Sequence, residues 1–121
     1  MGAEMAVTLL AMFRRPDGGD EALQTFLRRY HAEHLPLISA VPGLRTMSVQ
    51  RVTQNLTPGD DLVLSNHMTF DDREALDAGM ASDPMRQAGR NLREIAPGLL
   101  TLVVLEEDRP PDAPKTDPEA A

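Results

Sequence analysis

No cysteine occurs in the 121-residue chain, which excludes disulfides, thiolate-held metals, iron–sulfur clusters and a cysteine nucleophile together. Aromatics are nearly as scarce: Phe13, Phe26, Tyr30 and Phe70 are the whole set. A core must therefore rest on Leu, Val, Ala and seven Met, side chains that adapt in shape rather than lock. No apolar run approaches the ~18 residues of a membrane span. Met1-Gly2-Ala3-Glu4-Met5 has neither the cationic start nor the apolar stretch of a signal peptide, so the expected location is the cytoplasm. Positive charge is also in short supply. A net charge of −7 opposes phosphate backbones and anionic lipid surfaces, which need a cationic face, so no nucleic acid and no membrane partner are expected. HxxE and HExxH patterns are absent, and Gly18-Gly19 lacks the spacing and lysine of a phosphate loop. No metal and no cofactor are expected. Chemistry is left to histidine, tyrosine and carboxylates.

What is present fits one domain and a tail. With 41% hydrophobic and 26% charged residues, a chain of this length can bury roughly 65% of its unfolded surface. From Glu106 to Ala121 there are six acids, two bases and four of the ten prolines, a composition that cannot order itself by burial. We expect a folded domain over residues 5–106 and an acidic, Pro-rich, disordered tail over residues 107–121. Ala6–Phe13 reads as a strand that ends at the turn Arg14-Arg15-Pro16-Asp17-Gly18-Gly19. Asp20 is placed to cap a helix in which Leu23, Phe26, Leu27, Tyr30 and His34 recur at helical spacing, with Pro36 discouraging further helix from Leu35. Leu44–Val52 alternates as a second strand, and Leu62–Phe70 as a third, joined by the turn-rich Asn55–Asp61. Asp71 with Glu74 forms a capping box for a short helix, and Ser82 with Pro84 starts another that ends at Pro97-Gly98. Leu99–Leu105 is the fourth strand.

The order βαββαβ is α+β and ferredoxin-like, a split fold with a four-stranded antiparallel sheet and its helices on one face. Strand alternation puts Thr8, Leu10, Met12, Thr46, Ser48, Gln50, Val63, Ser65, His67 and Thr69 on the other face. That surface is too apolar to stay bare and too polar for a dry core, so two copies are expected to pack these faces into a homodimer.

Arg15-Pro16-Asp17-Gly18, then Phe26-Leu27-Arg28-Arg29-Tyr30-His31-Ala32-Glu33-His34-Leu35-Pro36-Leu37, then Pro42-Gly43-Leu44, resembles the EthD family of the dimeric α+β barrel superfamily. The most specific part is Tyr30, then His34 four residues on, then Pro36-Leu37. Agreement continues through Phe70-Asp71-Asp72 and Ser82-Asp83-Pro84, so the resemblance spans roughly residues 5 to 106. It implies a sheet-to-sheet dimer, a cavity between sheet and helices for a small organic ligand, and a place in oxidative or degradative metabolism. It does not select a reaction, because that superfamily includes cofactor-free monooxygenases, lactone isomerases, polyketide cyclases and haem-handling proteins.

The candidate catalytic residues are His34, Tyr30 and His67. His34 matches the family position and stands at a helix end, where carbonyl dipoles would favour its charged form. Tyr30 lies one turn earlier on the same side. His67 is expected to border the same cavity from the sheet, between Ser65 and Thr69, which requires the His34 helix end and its Pro36 turn to curl around the sheet edge. Ser48, Gln50 and Asn66 are candidates for orienting a polar substrate atom, with Asn66 on the helix-facing side. His31 falls about 90° from His34 around the helix and should face solvent. Two functions stay open: a small-molecule enzyme, oxidoreductase or isomerase in type, and a noncatalytic ligand-binding or accessory protein.

Overall fold

The computed structural model describes residues 6–108; of the tail expected over residues 107–121, residues 109–121 lie outside the described residues. The elements are β1 (Val7–Arg14), α1 (Gly19–Arg29), a π-helical turn (Tyr30–His34), α2 (Leu35–Ser39), β2 (Leu44–Arg51), β3 (Leu62–Phe70), α3 (Arg73–Met80), α4 (Asp83–Ile95) and β4 (Leu100–Leu105). The strands form one sheet in the order β2-β3-β1-β4, every neighbouring pair antiparallel. This is the ferredoxin-like α+β arrangement. The helical layer lies against one face.

β1 alternates strictly between buried and half-buried residues. Val7, Leu9, Ala11 and Phe13 point into the core with Leu64, Asn66, Met68 and Phe70 of β3. Phe13, Phe26 and Tyr30 pack edge to tilted face at centroid distances of 5.2–5.7 Å, concentrating three of the four aromatic rings in one cluster. The opposite face carries Thr8, Leu10 and Met12, paired with Thr69, His67 and Ser65 on β3 and with Leu105, Val103 and Thr101 on β4. Its partners on β2 are Thr46, Ser48 and Gln50. β4 is an edge strand whose Leu102, Val103, Val104 and Leu105 all remain exposed.

Three local expectations are corrected. Helix α1 begins at Gly19 with Gly18 as its cap, not at Asp20. Gly18 holds a φ of 109°, and a Cβ there would lie 2.8 Å from the Ala22 Cβ, so only glycine makes this entry. Asp20 and Glu21 instead fall in the first turn, where the helix dipole favours them. Asp72, not Asp71, caps α3, its carboxylate accepting from the Ala75 N–H at 2.8 Å; Asp71 pairs with Arg45 at 3.3 Å. Pro36 does not end the first helical segment. It has no N–H to give to Ala32 and its ring would strike that carbonyl. The backbone widens just before it, so that the Leu35 N–H bonds to the Tyr30 carbonyl, and the helix resumes as α2 with Pro36 in its first turn. Ser82 caps α4 as expected, accepting from the Met85 N–H.

Candidate functional site

Between the helix-facing side of the sheet and the helical layer lies a cavity of about 180 Å³. Leu9 and Met68 form part of its floor, Met85 and Leu92 of α4 part of its roof, and Leu102 of β4 one side. Among the described residues that line it, only Tyr30 and His34 carry polar side chains. Both come from the π-helical turn. The wide turn sets the two rings side by side, with centroids 4.9 Å apart and planes 29° apart.

His34 is only 4% exposed. Its Nδ1 lies 3.2 Å from Asn91 Oδ1, and Asn91 Nδ2 donates to Glu33 Oε1 at 3.0 Å. Glu33 in turn accepts from Arg29 Nε at 2.8 Å and from its Nη2 at 3.1 Å. This chain fixes the histidine tautomer. A carboxylate can only accept, so the Asn91 amide must turn its NH₂ toward Glu33 and its carbonyl toward His34. Nδ1 must then carry the imidazole proton. Nε2 is left with a free lone pair and has no partner among the described residues. Burial pushes the His34 pKa down to about 4, and the Asn91 hydrogen bond offsets only part of that fall. The expectation of a charged imidazole is therefore corrected. Desolvation outweighs the helix-end dipoles, which a π turn continuing into α2 also weakens. Arg29 holds Glu33 below the ordinary carboxylate range, keeping the far end of the chain ionised.

Tyr30 is fully buried, and its hydroxyl accepts from Asn66 Nδ2 at 3.0 Å. Burial raises its pKa to about 12, against a smaller opposing effect of the Asn66 bond. It is a neutral phenol under any ordinary condition. Asn66 is itself fully buried, and its Oδ1 has no partner.

The structure thus brings Tyr30 and His34 to one cavity, with Asn66 touching Tyr30 from the sheet. His67 is not part of it. Its strand partners Leu10 and Ser48 show it to lie on the opposite sheet face, so the expectation that His67 borders the His34 cavity is corrected. A strand alternates faces residue by residue, and Asn66 and His67 must point to opposite sides. Ser48 and Gln50 lie exposed on that same far face, and His31 is exposed. Arg14 reaches the Gly98 carbonyl and Thr101, and Arg15 pairs with Asp20, so the basic turn is engaged within the chain. Asn91 was not singled out from the sequence. Its signal was a polar residue three positions after Ala88, beside the inward stripe of α4.

No family model and no curated protein matches the chain. Solved structures do. An ethyl tert-butyl ether D (EthD) family protein from Bacillus halodurans C-125 is 33% identical, with 86% of this chain and all (100%) of that one covered at a TM-score of 0.75. A dimeric ferredoxin-like protein from Jannaschia sp. CCS1 is 21% identical over 84% of this chain and 99% of its own, at a TM-score of 0.63. SnoaB, a cofactor-independent oxygenase from Streptomyces nogalater, is 17% identical over 92% of this chain and 99% of its own, at a TM-score of 0.53.

Proposed function

The chain belongs to the EthD family, and on that footing we propose that it is a small-molecule enzyme that moves a proton on a small organic metabolite, with His34 as the base and Tyr30 assisting. The observation that carries this is the neutral imidazole held at the wall of an apolar cavity by the Arg29–Glu33–Asn91 chain. A histidine that served only to anchor the helix end would not need its Nε2 free. General base catalysis needs a lone pair in a fixed direction, and the relay supplies it. Burial lowers the proton affinity of the ring, yet an anion forming within about 4–6 Å restores it by direct attraction. The substrate proton must accordingly be one activated by a neighbouring group. The resulting carbanion can be reprotonated at a second position, which is isomerisation, or can be oxidised by dioxygen. The fold shared with a cofactor-independent oxygenase supports the oxidative branch and hence the oxidoreductase class.

Two copies are proposed to pack through the sheet face opposite the cavity, where Leu10, Met12 and Val103 lie among threonines and serines. The dimeric state of a structure with the same fold supports it. His67 belongs to that interface in this assembly, as a hydrogen-bonding group rather than a catalytic one.

The apolar lining favours one second function, sequestration of a ligand for another enzyme, since carriage needs only a closely fitting pocket. Native mass spectrometry of freshly purified protein reads dimer mass and co-purified ligand together. Turnover of the compound so identified should fall at least about a hundredfold in His34→Gln. Unchanged turnover would return His34 to a structural part, and altered affinity with no turnover in either form would make the carrier the function.

A further inference from the structure

We infer that the Tyr30 hydroxyl is the donor that binds the substrate's oxygen, and that the substrate class is a neutral, enolisable carbonyl compound of about one ring in size. This rests on the proposed acid–base function of His34 and adds the identity of what is deprotonated. Three observations carry it. The Tyr30 hydroxyl accepts its protein hydrogen bond from Asn66 Nδ2, so its single proton is not used there. The opposite amide orientation would satisfy that proton but orphan a buried NH₂, and orphaned buried donors are rarer than under-satisfied carbonyls. The orientation seen leaves Asn66 Oδ1 as the unpaired atom and the phenol proton free for an acceptor in the cavity. Next, the other lining side chains are apolar, and an ionised ligand would enter with no opposite charge to offset its desolvation. The ligand is therefore uncharged. Finally, the volume of about 180 Å³ compares with roughly 150 Å³ for an apolar cavity that takes up benzene.

A donor and a base on adjacent stacked rings suit one reaction. His34 Nε2 takes a proton from the carbon next to the carbonyl, breaking that C–H bond. The electron pair forms the enolate, and the charge gathers on the oxygen held by Tyr30, where a neutral phenol donor is worth most. The proton then returns from His34 to a different carbon of the conjugated anion. Nothing else is consumed.

Cyclohex-3-en-1-one is the probe: one ring, uncharged, one acceptor oxygen, and a proton activated by both the carbonyl and the double bond. The wild-type protein should convert it to cyclohex-2-en-1-one, read from the ultraviolet absorbance of the conjugated product. Tyr30→Phe should slow this about a hundredfold, in the range seen when one oxyanion donor is removed, and His34→Gln should abolish it. The carbonyl stretch of the bound ketone should shift to lower frequency, and methylenecyclohexane, the same shape without oxygen, should bind about tenfold more weakly than cyclohexanone. These last two measurements use the wild type and stand even if Tyr30→Phe fails to fold. Conversion that depends on His34 but not on Tyr30, with methylenecyclohexane binding as tightly as the ketone, would overturn the Tyr30 contact and leave the base intact. A shifted carbonyl stretch with no conversion would instead overturn His34 as base. Failure of either ketone to bind would overturn the substrate class.

Discussion

The buried His34 makes stability depend on pH. Its pKa is about 4 in the folded protein against 6.5 for the free side chain, so between those values the unfolded chain binds the extra proton. Stability should then be fully present above pH 6.5 and decline as pH falls toward 4, by roughly 3 kcal/mol over that range. Urea titrations at stepped pH should show the decline in the wild type and a shallower one in His34→Gln. Because the same group is the proposed base, activity should rise with pH through about 4 and be flat at neutrality, where the ring is already deprotonated. Tyr30 does not disturb this profile, since its proton leaves only near pH 12. The two rings share a wall of one cavity and both are kept neutral by burial, one proposed to accept a proton and the other to donate a hydrogen bond.

At the scale of elements, the decisive feature is the helix that does not stop. Pro36 forces the backbone to widen, and that widening sets Tyr30 and His34 in a stack over the cavity. Helix α4 supplies the roof and, through Asn91, the orientation of the His34 ring. Helix α3 is seated by a close approach: a Cβ on Gly79 would lie 2.9 Å from a ring carbon of Phe70 and 3.1 Å from the Pro42 carbonyl and the Val41 side chain. Phe70 is fully packed and cannot yield. Gly79→Ala should therefore destabilise by about 1–2 kcal/mol, even though alanine favours helix by about 1 kcal/mol. Thermal melts should show a lower midpoint; an unchanged or raised one would mean that α3 shifts to make room.

For the whole molecule, the sheet divides the work between its faces. One bears the cavity, the other the half-apolar surface proposed as the dimer interface. Leu10 lies centrally on that surface, opposite His67 on one side and Val103 on the other. A carboxylate at this position would lose its hydration in the dimer and keep it in the monomer. Light scattering at micromolar concentration should give dimer mass for the wild type and monomer mass for Leu10→Asp, with the far-ultraviolet circular dichroism unchanged. A wild-type monomer would remove the interface altogether.

Strand boundaries, strand order along the chain, the cap at Ser82 and the pairing of Tyr30 with His34 were legible in the sequence, because periodicity and turn chemistry are local and a few residues suffice to state them. Helix entry at Gly18 and the cap at Asp72 differed from expectation by one or two residues, the distance over which neighbouring acids compete for the same amides. What the sequence alone determined is the alternation that puts Asn66 and His67 on opposite sheet faces. The tertiary structure decided where on the helix-covered face the cavity opens, since that depends on how the helical layer packs. It alone made His34 neutral, because desolvation is a property of everything packed around a group and not of its neighbours in the chain. And it alone joined Asn91 to His34 across 57 residues, a contact that no local pattern encodes and that fixes which nitrogen can act.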